Sequence, residues 1–325
     1  MKDKINLKKL MKLAGHLVVI AALAFVVKKI IDMDIKLSDL SSPRVIAAFA
    51  VSFVIQTAQI LIGCWSWLLF TRSLSGQKIP YSAAMPVFTR SNIYKYLPGN
   101  VFQYVGRNQL AADMKISHVD VACATVLDVL FCVFWTGVVS VLLLGGRIAE
   151  LLGKYGKNLA VVGAVGVLFL AAVFIALRLK FRDKVKAYLS RYSKAFEKEN
   201  RKQLLCGIFY YFAHNCVSAA MYMSCLALMV PQADAKELAA LTGAFLFAWI
   251  IGFVTPGAPG GIGIREGVML FVCGDRFADR IVLFVLVMRI ASVFADVAAF
   301  LIGRLYGREK SRQPIVGNGV PNLRK

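Results

Sequence analysis

Six apolar runs dominate this sequence, and each is long enough for an α-helix to cross a bilayer, which takes about 20 residues. They cover residues 13–31, 45–70, 119–144, 158–177, 203–230 and 281–302. The chain of 325 residues is 58% hydrophobic, above the roughly 45–50% that is usual for soluble domains. The pattern excludes a soluble enzyme, a disulfide-rich secreted domain and a disordered chain. It predicts an all-α polytopic membrane protein.

Two further apolar segments, 81–112 and 238–273, are interrupted near the middle by proline and glycine, at 97–100 and 256–261. Proline removes a backbone donor, so a continuous helix through either break is not expected. Lys/Arg-rich stretches precede residue 13, cover 178–202 and follow residue 302, which predicts that all three are cytoplasmic. Counting crossings from them makes each broken segment start and end on one side. We therefore expect two re-entrant hairpins that enter from opposite faces.

The two halves of the chain match under a shift of 158 residues, which places Pro98-Gly99 on Pro256-Gly257 and Arg107 on Arg265. The shift also superimposes the spans around the breaks. Broken helices in inverted halves are typical of transporters whose site lies between the repeats near the membrane midplane. We expect a single membrane domain over 1–305, with repeats at about 45–144 and 203–302, a linking span at 158–177 and a basic cytoplasmic tail at 306–325.

Ionisable side chains inside spans cost about 2.5–3.5 kcal/mol each on insertion scales, so each needs a partner or a function. Away from their ends, the full spans contain Asp128, His214, Arg289 and Asp296. One reading is an ion pair between Asp128 or Asp296 and Arg289 that holds the bundle together. The other is a proton relay or a counter-ion for the substrate. His214 and the following Asn215 indicate either a hydrogen bond between helices or proton coupling.

The hairpin arginines Arg107 and Arg265 follow their Pro-Gly breaks at the same distance. A broken helix exposes unpaired backbone N–H groups at its new N-terminus, where the helix dipole is positive. Combined with arginine, such an end makes an anion site suited to phosphate. Two such sites would suit a lipid whose phosphate crosses the membrane while its tails stay in the bilayer. The alternative is that Arg265 only neutralises Glu266, which could itself receive a cationic headgroup or a proton.

The remaining composition points to no catalytic or cofactor chemistry. All seven cysteines lie in apolar runs, only three histidines occur, and no zinc, haem or nucleotide motif is present, so no metal or cofactor is expected. The basic segment 178–202 predicts an amphipathic helix on the anionic cytoplasmic leaflet. Nucleic-acid binding is not expected, because the basic charge flanks membrane spans.

The two hairpins carry recognisable motifs, YKYLPGNV at 94–101 continuing to YVGR at 104–107, and PGGIGIREG at 259–267. Together they resemble the signatures of the lysylphosphatidylglycerol synthase transmembrane-domain family, the flippase-like membrane part of bacterial aminoacyl-phosphatidylglycerol synthases. The resemblance covers about 10–305. It implies a lipid cavity between the halves and transfer of a lipid from the inner to the outer leaflet. The substrate-binding residues that it implies are Pro98, Gly99, Asn100, Arg107, Gly260, Gly261, Arg265 and Glu266.

The synthases continue into a cytosolic aminoacyl-transfer domain, whereas this sequence ends in a short basic tail, so synthase activity is not expected. The sequence predicts a flippase that moves a phosphate-bearing lipid (a phospholipid, an aminoacyl-phospholipid or a polyprenyl-linked glycolipid) between leaflets of the bacterial inner membrane. Both termini would be cytoplasmic, and the chain is a candidate for a homo-oligomer. The alternative is a membrane-embedded enzyme or an accessory subunit in cell-envelope lipid or polysaccharide synthesis.

Overall fold

The computed structural model describes residues 40–96, 101–150, 153, 156, 190, 192, 193, 195–255 and 264–312. The regular secondary structure in this part of the chain is helical throughout. The predicted spans 13–31 and 158–177 lie outside the described residues. The helices that build the fold are α1 (Pro43–Ser75), α2 (Tyr81–Asn92), α3 (Phe102–Ala111), α4 (His118–Leu144), α5 (Lys198–Met229), α6 (Ala235–Val254), α7 (Ile264–Cys273) and α8 (Ala278–Arg312).

Five of the described helices are long and apolar enough to cross a membrane: α1, α4, α5, α6 and α8. The chain is therefore a multi-pass helical membrane protein, as its composition predicts. Four of these helices coincide with the predicted spans 45–70, 119–144, 203–230 and 281–302. The fifth, α6, forms the first limb of the segment expected to be a re-entrant hairpin at 238–273.

The first limbs of the two broken segments differ in length. Helix α2 has 12 residues, contains Pro86 and passes into a 3₁₀ turn at Ile93–Tyr96. Helix α6 has 20 residues and starts behind a capping box, in which the Glu237 amide donates to the Asp234 carboxylate and the Asp234 amide donates back to Glu237. An uninterrupted apolar run behind a strong cap extends the helix. The helix before the break is therefore longer in the second segment than in the first. That the two segments re-enter the membrane stays a prediction.

Helices α1 and α5 form the central antiparallel pair. The start of α1 (Val45) and the end of α5 (Leu226) meet in an apolar cluster around Phe284. The end of α1 and the start of α5 (Leu204) meet in a second cluster, around Trp67. Each end of the α1–α5 pair therefore has its own packed core. The middle parts of α1 and α5 lie between the two clusters and line the space there.

Beside this pair, helices from the first half of the chain pack on helices from the second half. Helix α2 packs on α8, and α6 packs on α4. The α4–α6 contact is close because Gly243 has no side chain: a Cβ there would lie 2.8 Å from the Leu144 backbone nitrogen. The Ser140 hydroxyl donates to the Gly243 carbonyl at 2.8 Å. This backbone-level approach fixes one wall of the space between the clusters.

Candidate functional site

A cavity of about 560 Å³ lies midway between the two apolar clusters. Gln59, the middle residue of α1, lines it, and so does His214 on the facing part of α5. Each of the helices α1 to α8 contributes residues to its lining, and so does the 3₁₀ turn at Ile93–Tyr96. Of the predicted site residues that the structure describes, Arg107, Asp128, His214, Arg265, Glu266 and Arg289 line this one cavity. The broken segments thus bring their arginines to a single space.

On one wall, Arg107 is held by a complete set of partners. Its guanidinium lies 3.0 Å from the Asp128 carboxylate and also donates to Ser91 and Asn92, each at 3.2 Å. The Tyr211 hydroxyl donates to the other Asp128 oxygen at 2.6 Å. Arg107 is only 2% exposed. A buried arginine whose charge is neutralised by a carboxylate, and which makes three hydrogen bonds in all, acts first as a structural link, so Arg107 ties α3 to α2 and α4.

The backbone of α3 allows this arrangement because residue 106 is glycine. A Cβ at Gly106 would lie 2.2 Å from the Tyr94 ring, so any larger residue would displace that ring. The Arg107 guanidinium in turn stacks on Phe88, 4.2 Å from its centroid. Aromatic packing from the first limb therefore sets the position from which Arg107 reaches Asp128.

On the opposite wall, helix α8 holds two further ion pairs. Arg289 donates to Glu266 on α7 at 3.3 Å. Seven residues later, Asp296 accepts a contact of 2.5 Å from the Lys95 ammonium and a hydrogen bond of 2.6 Å from the Tyr96 hydroxyl. Among the described ion pairs, Arg289, Asp128 and Asp296 are each held by a different partner, so the reading in which Arg289 pairs with Asp128 or Asp296 gains no support from these contacts. Asp296 itself lies behind Lys95 and Tyr96, which line the cavity.

Arg265 differs from the other cations of the cavity. Among the described residues, it has no carboxylate within ion-pair distance and no hydrogen-bond partner, and its Nε is buried without an acceptor. Its neighbour Glu266 is taken up by Arg289 instead. The other cations that line the cavity, Lys95, Arg107 and Arg289, each hold a carboxylate. Arg265 is thus the one described lining cation with an uncompensated charge.

Uncharged polar groups fill the stretch between these walls. Gln59 donates to the His214 carbonyl at 3.1 Å and to the Ser218 hydroxyl at 2.9 Å, and so ties α1 to α5. The Thr136 hydroxyl on α4 donates to Asn215 on α5 at 2.8 Å, so Asn215 makes a hydrogen bond between helices. The His214 ring instead contacts the Tyr210 hydroxyl one turn earlier on the same helix, at 3.3 Å.

Five of the predicted site residues, Pro98, Gly99, Asn100, Gly260 and Gly261, lie outside the described residues. The structure adds four others to the charged clusters: Lys95, Tyr96, Asn92 and Tyr211. For Tyr211 the sequence held a signal, because polar residues recur along α5 at 211, 215, 218 and 222, the spacing of one helix face. Lys95 stands directly before the first break, where a cation can turn toward the cavity.

Comparisons with known proteins identify no relative of this chain. No family model matches it, and neither the curated proteins nor the solved structures contain a match. The resemblance of the two hairpin motifs to the synthase membrane domain therefore stays an expectation, and the function has to be argued from the cavity.

Proposed function

We propose that this protein is a lipid flippase or transporter that binds the phosphate of a membrane lipid in the central cavity. The observation that carries the proposal is the uncompensated charge of Arg265. Arg265 is half-buried and its Nε is buried without an acceptor, so part of its guanidinium has lost water without gaining a partner, a cost that an anion can relieve. Its planar group of donors matches the oxygens of phosphate.

The surroundings favour a lipid over a soluble anion. The cavity lies between helices that are long and apolar enough for a membrane, at half their length. Apolar side chains such as Ile60, Val129, Leu246 and Phe253 share its lining with the polar groups. A headgroup can bind to the polar part while the chains remain in the bilayer beside these apolar surfaces. No nucleotide-binding motif occurs in the sequence, so transport would be facilitated or coupled to protons.

The wider architecture belongs to the same proposal. In an inverted repeat, helix contacts occur in equivalent pairs, and the α2–α8 and α6–α4 contacts support this part of the proposal because they form one such pair. The antiparallel arrangement of α1 and α5 agrees with the same repeat. With the basic flanks facing the cytoplasm, we propose a bacterial inner-membrane protein with both termini inside.

The experiment that tests the proposal measures lipid transfer after reconstitution of the full chain into vesicles. Phosphatidylglycerol labelled with a fluorophore on its acyl chain is placed in both leaflets, and dithionite then reports the outer pool. Loss of one charged hydrogen-bonding partner, worth about 1.5–3 kcal/mol, predicts that Arg265→Gln lowers transfer about ten- to hundredfold. Arg265→Lys should retain part of the activity, because it keeps the charge without the planar geometry.

The matched control is Arg276→Gln. Arg276 pairs with Glu237, lies outside the cavity and has a side chain that is 65% exposed. This variant should transfer lipid like the wild type. Equal transfer by Arg265→Gln and the wild type would refute the phosphate site, and a partner that copurifies at fixed stoichiometry with an inactive wild type would favour an accessory subunit.

A further inference from the structure

We infer that the headgroup beyond the phosphate is an uncharged polyol and carries no amine. This inference rests on the proposed function and narrows its substrate class. The cavity contains groups of three kinds: carboxylates that already hold cations, one uncompensated arginine, and a wall of amides and hydroxyls. Each kind restricts the ligand in a different way.

The carboxylates near the cavity already hold cations, so none of them carries an uncompensated negative charge for an ammonium group, although Asp296 Oδ1 is buried without a hydrogen-bond partner. Asp128 and Glu266, the described acidic residues that line the cavity, are bound by Arg107 at 3.0 Å and by Arg289 at 3.3 Å. Asp296, directly behind the lining, is bound by Lys95. The interrupted stretches 97–100 and 256–263 contain no charged residue in their sequence. A lysyl, ethanolamine or other amine headgroup would therefore have to separate an existing ion pair, and it would stand near Arg265, whose charge repels it.

The uncharged wall offers partners of another kind. Five amide side chains line the cavity: Gln56, Gln59, Asn92, Gln103 and Asn215. Both polar atoms of Asn215 already bond to protein groups, whereas Gln56 Oε1, Gln59 Oε1 and Asn92 Nδ2 make no hydrogen bond among the described residues. An amide both donates and accepts hydrogen bonds, and a hydroxyl does the same, whereas an ammonium group only donates. Sites that combine an apolar lining with a few such groups fix the orientation of a ligand and select it by its hydrogen-bonding pattern. The pattern here is complementary to several hydroxyls following one phosphate.

Two lipid classes share this chemistry: a diacylglycerol phosphate that carries glycerol or inositol, and a polyprenyl phosphate that carries a sugar. The volume of about 560 Å³ admits either headgroup, since pockets for small ligands span about 300–1,000 Å³. The experiment therefore tests both sources. Native mass spectrometry of the purified full chain measures binding of phosphatidylglycerol, polyprenyl-phosphoglucose, phosphatidic acid, phosphatidylethanolamine and lysylphosphatidylglycerol.

The inference predicts that phosphatidylglycerol or polyprenyl-phosphoglucose binds at least about tenfold more tightly than either amine lipid, a preference of the size that one repelled or unpaired charge produces. Whichever of the two binds more tightly identifies the source. Equal or tighter binding of lysylphosphatidylglycerol would overturn the inference and leave the phosphate site standing. Failure of every phosphate-bearing lipid to bind would instead refute the proposed function itself.

A charge switch provides the second test. Arg289→Gln releases the Glu266 carboxylate into the cavity, so the variant should gain affinity for lysylphosphatidylglycerol and lose the tenfold preference. Arg276→Gln, which releases a glutamate outside the cavity, should leave the preference unchanged.

Gln56→Leu tests the amide wall, because the Gln56 amide bonds only to Ser52 on its own helix among the described contacts. This variant should weaken the binding of the polyol lipids and leave the binding of phosphatidic acid unchanged. An equal effect on both would count against a polyol headgroup.

Discussion

The buried Arg107–Asp128 pair allows a sharp test of which arginine is structural. Replacing Arg107 by methionine leaves the Asp128 carboxylate, 6% exposed, with the Tyr211 hydroxyl as its remaining strong partner. Breaking one side of a buried ion pair costs about 3–5 kcal/mol. The same replacement at Arg265 removes a cation that has no partner among the described residues, and it should cost little or even stabilise the empty protein.

The double variant Arg107→Met/Asp128→Leu removes both charges and keeps similar volumes. Apolar replacement of a whole buried pair is often close to neutral, so it should recover most of the loss, leaving about 1 kcal/mol. The free energy of unfolding is measured for all variants by titration with dodecyl sulfate in mixed micelles. The reasoning fails if Arg107→Met costs less than about 1 kcal/mol, or if the double variant is as unstable as the sum of its two single variants.

Three further predictions concern stability, measured by thermal unfolding of the purified protein in detergent. Gly243→Ala should cost about 1–3 kcal/mol, because the new Cβ meets the α4 backbone at 2.8 Å; Gly137→Ala, where the nearest atom is a side-chain carbon at 3.8 Å, should be close to neutral. Asp234→Ala should cost about 1 kcal/mol by removing the α6 cap, with Asp234→Asn retaining most of the stability. Asp296→Asn should cost about 1–2 kcal/mol, less than the Arg107 variant, because Lys95 is 34% exposed and can turn to water; a loss as large as that of Arg107→Met would contradict this.

The sequence predicts four of the five described membrane-length helices as spans, because a membrane helix shows its length and apolarity locally. It places the fifth, α6, in a broken segment, because the Pro-Gly-rich stretch at 256–261 directly follows it. The cap of α6 was also readable, since Asp234 and Glu237 have the spacing of a capping box. The partners of the ionisable residues were not readable in this way. The pair of Arg107 with Asp128 depends on how α3 packs against α4, and spacing along the chain does not specify that contact.

One signal for the site was nevertheless present in the repeat. Under the shift of 158 residues, Arg107 falls on Arg265, but Asp128 falls on Leu286. The second half therefore keeps the arginine and lacks the acid that neutralises it in the first half. This asymmetry would have predicted that only Arg265 retains a free charge. The two hairpin motifs themselves do not show this difference, because Asp128 lies outside them.

The two ion pairs on α8 have a mechanical consequence. Arg289 and Asp296 lie two turns apart on one face, about 10 Å along the axis, and hold residues beside the two different breaks. Rotating the helix about its own axis would strain both contacts together. Tilting it about a point between the two residues would lengthen one contact while shortening the other. Moving as one rigid rod, α8 would then loosen its contact with one broken segment as it tightens its contact with the other.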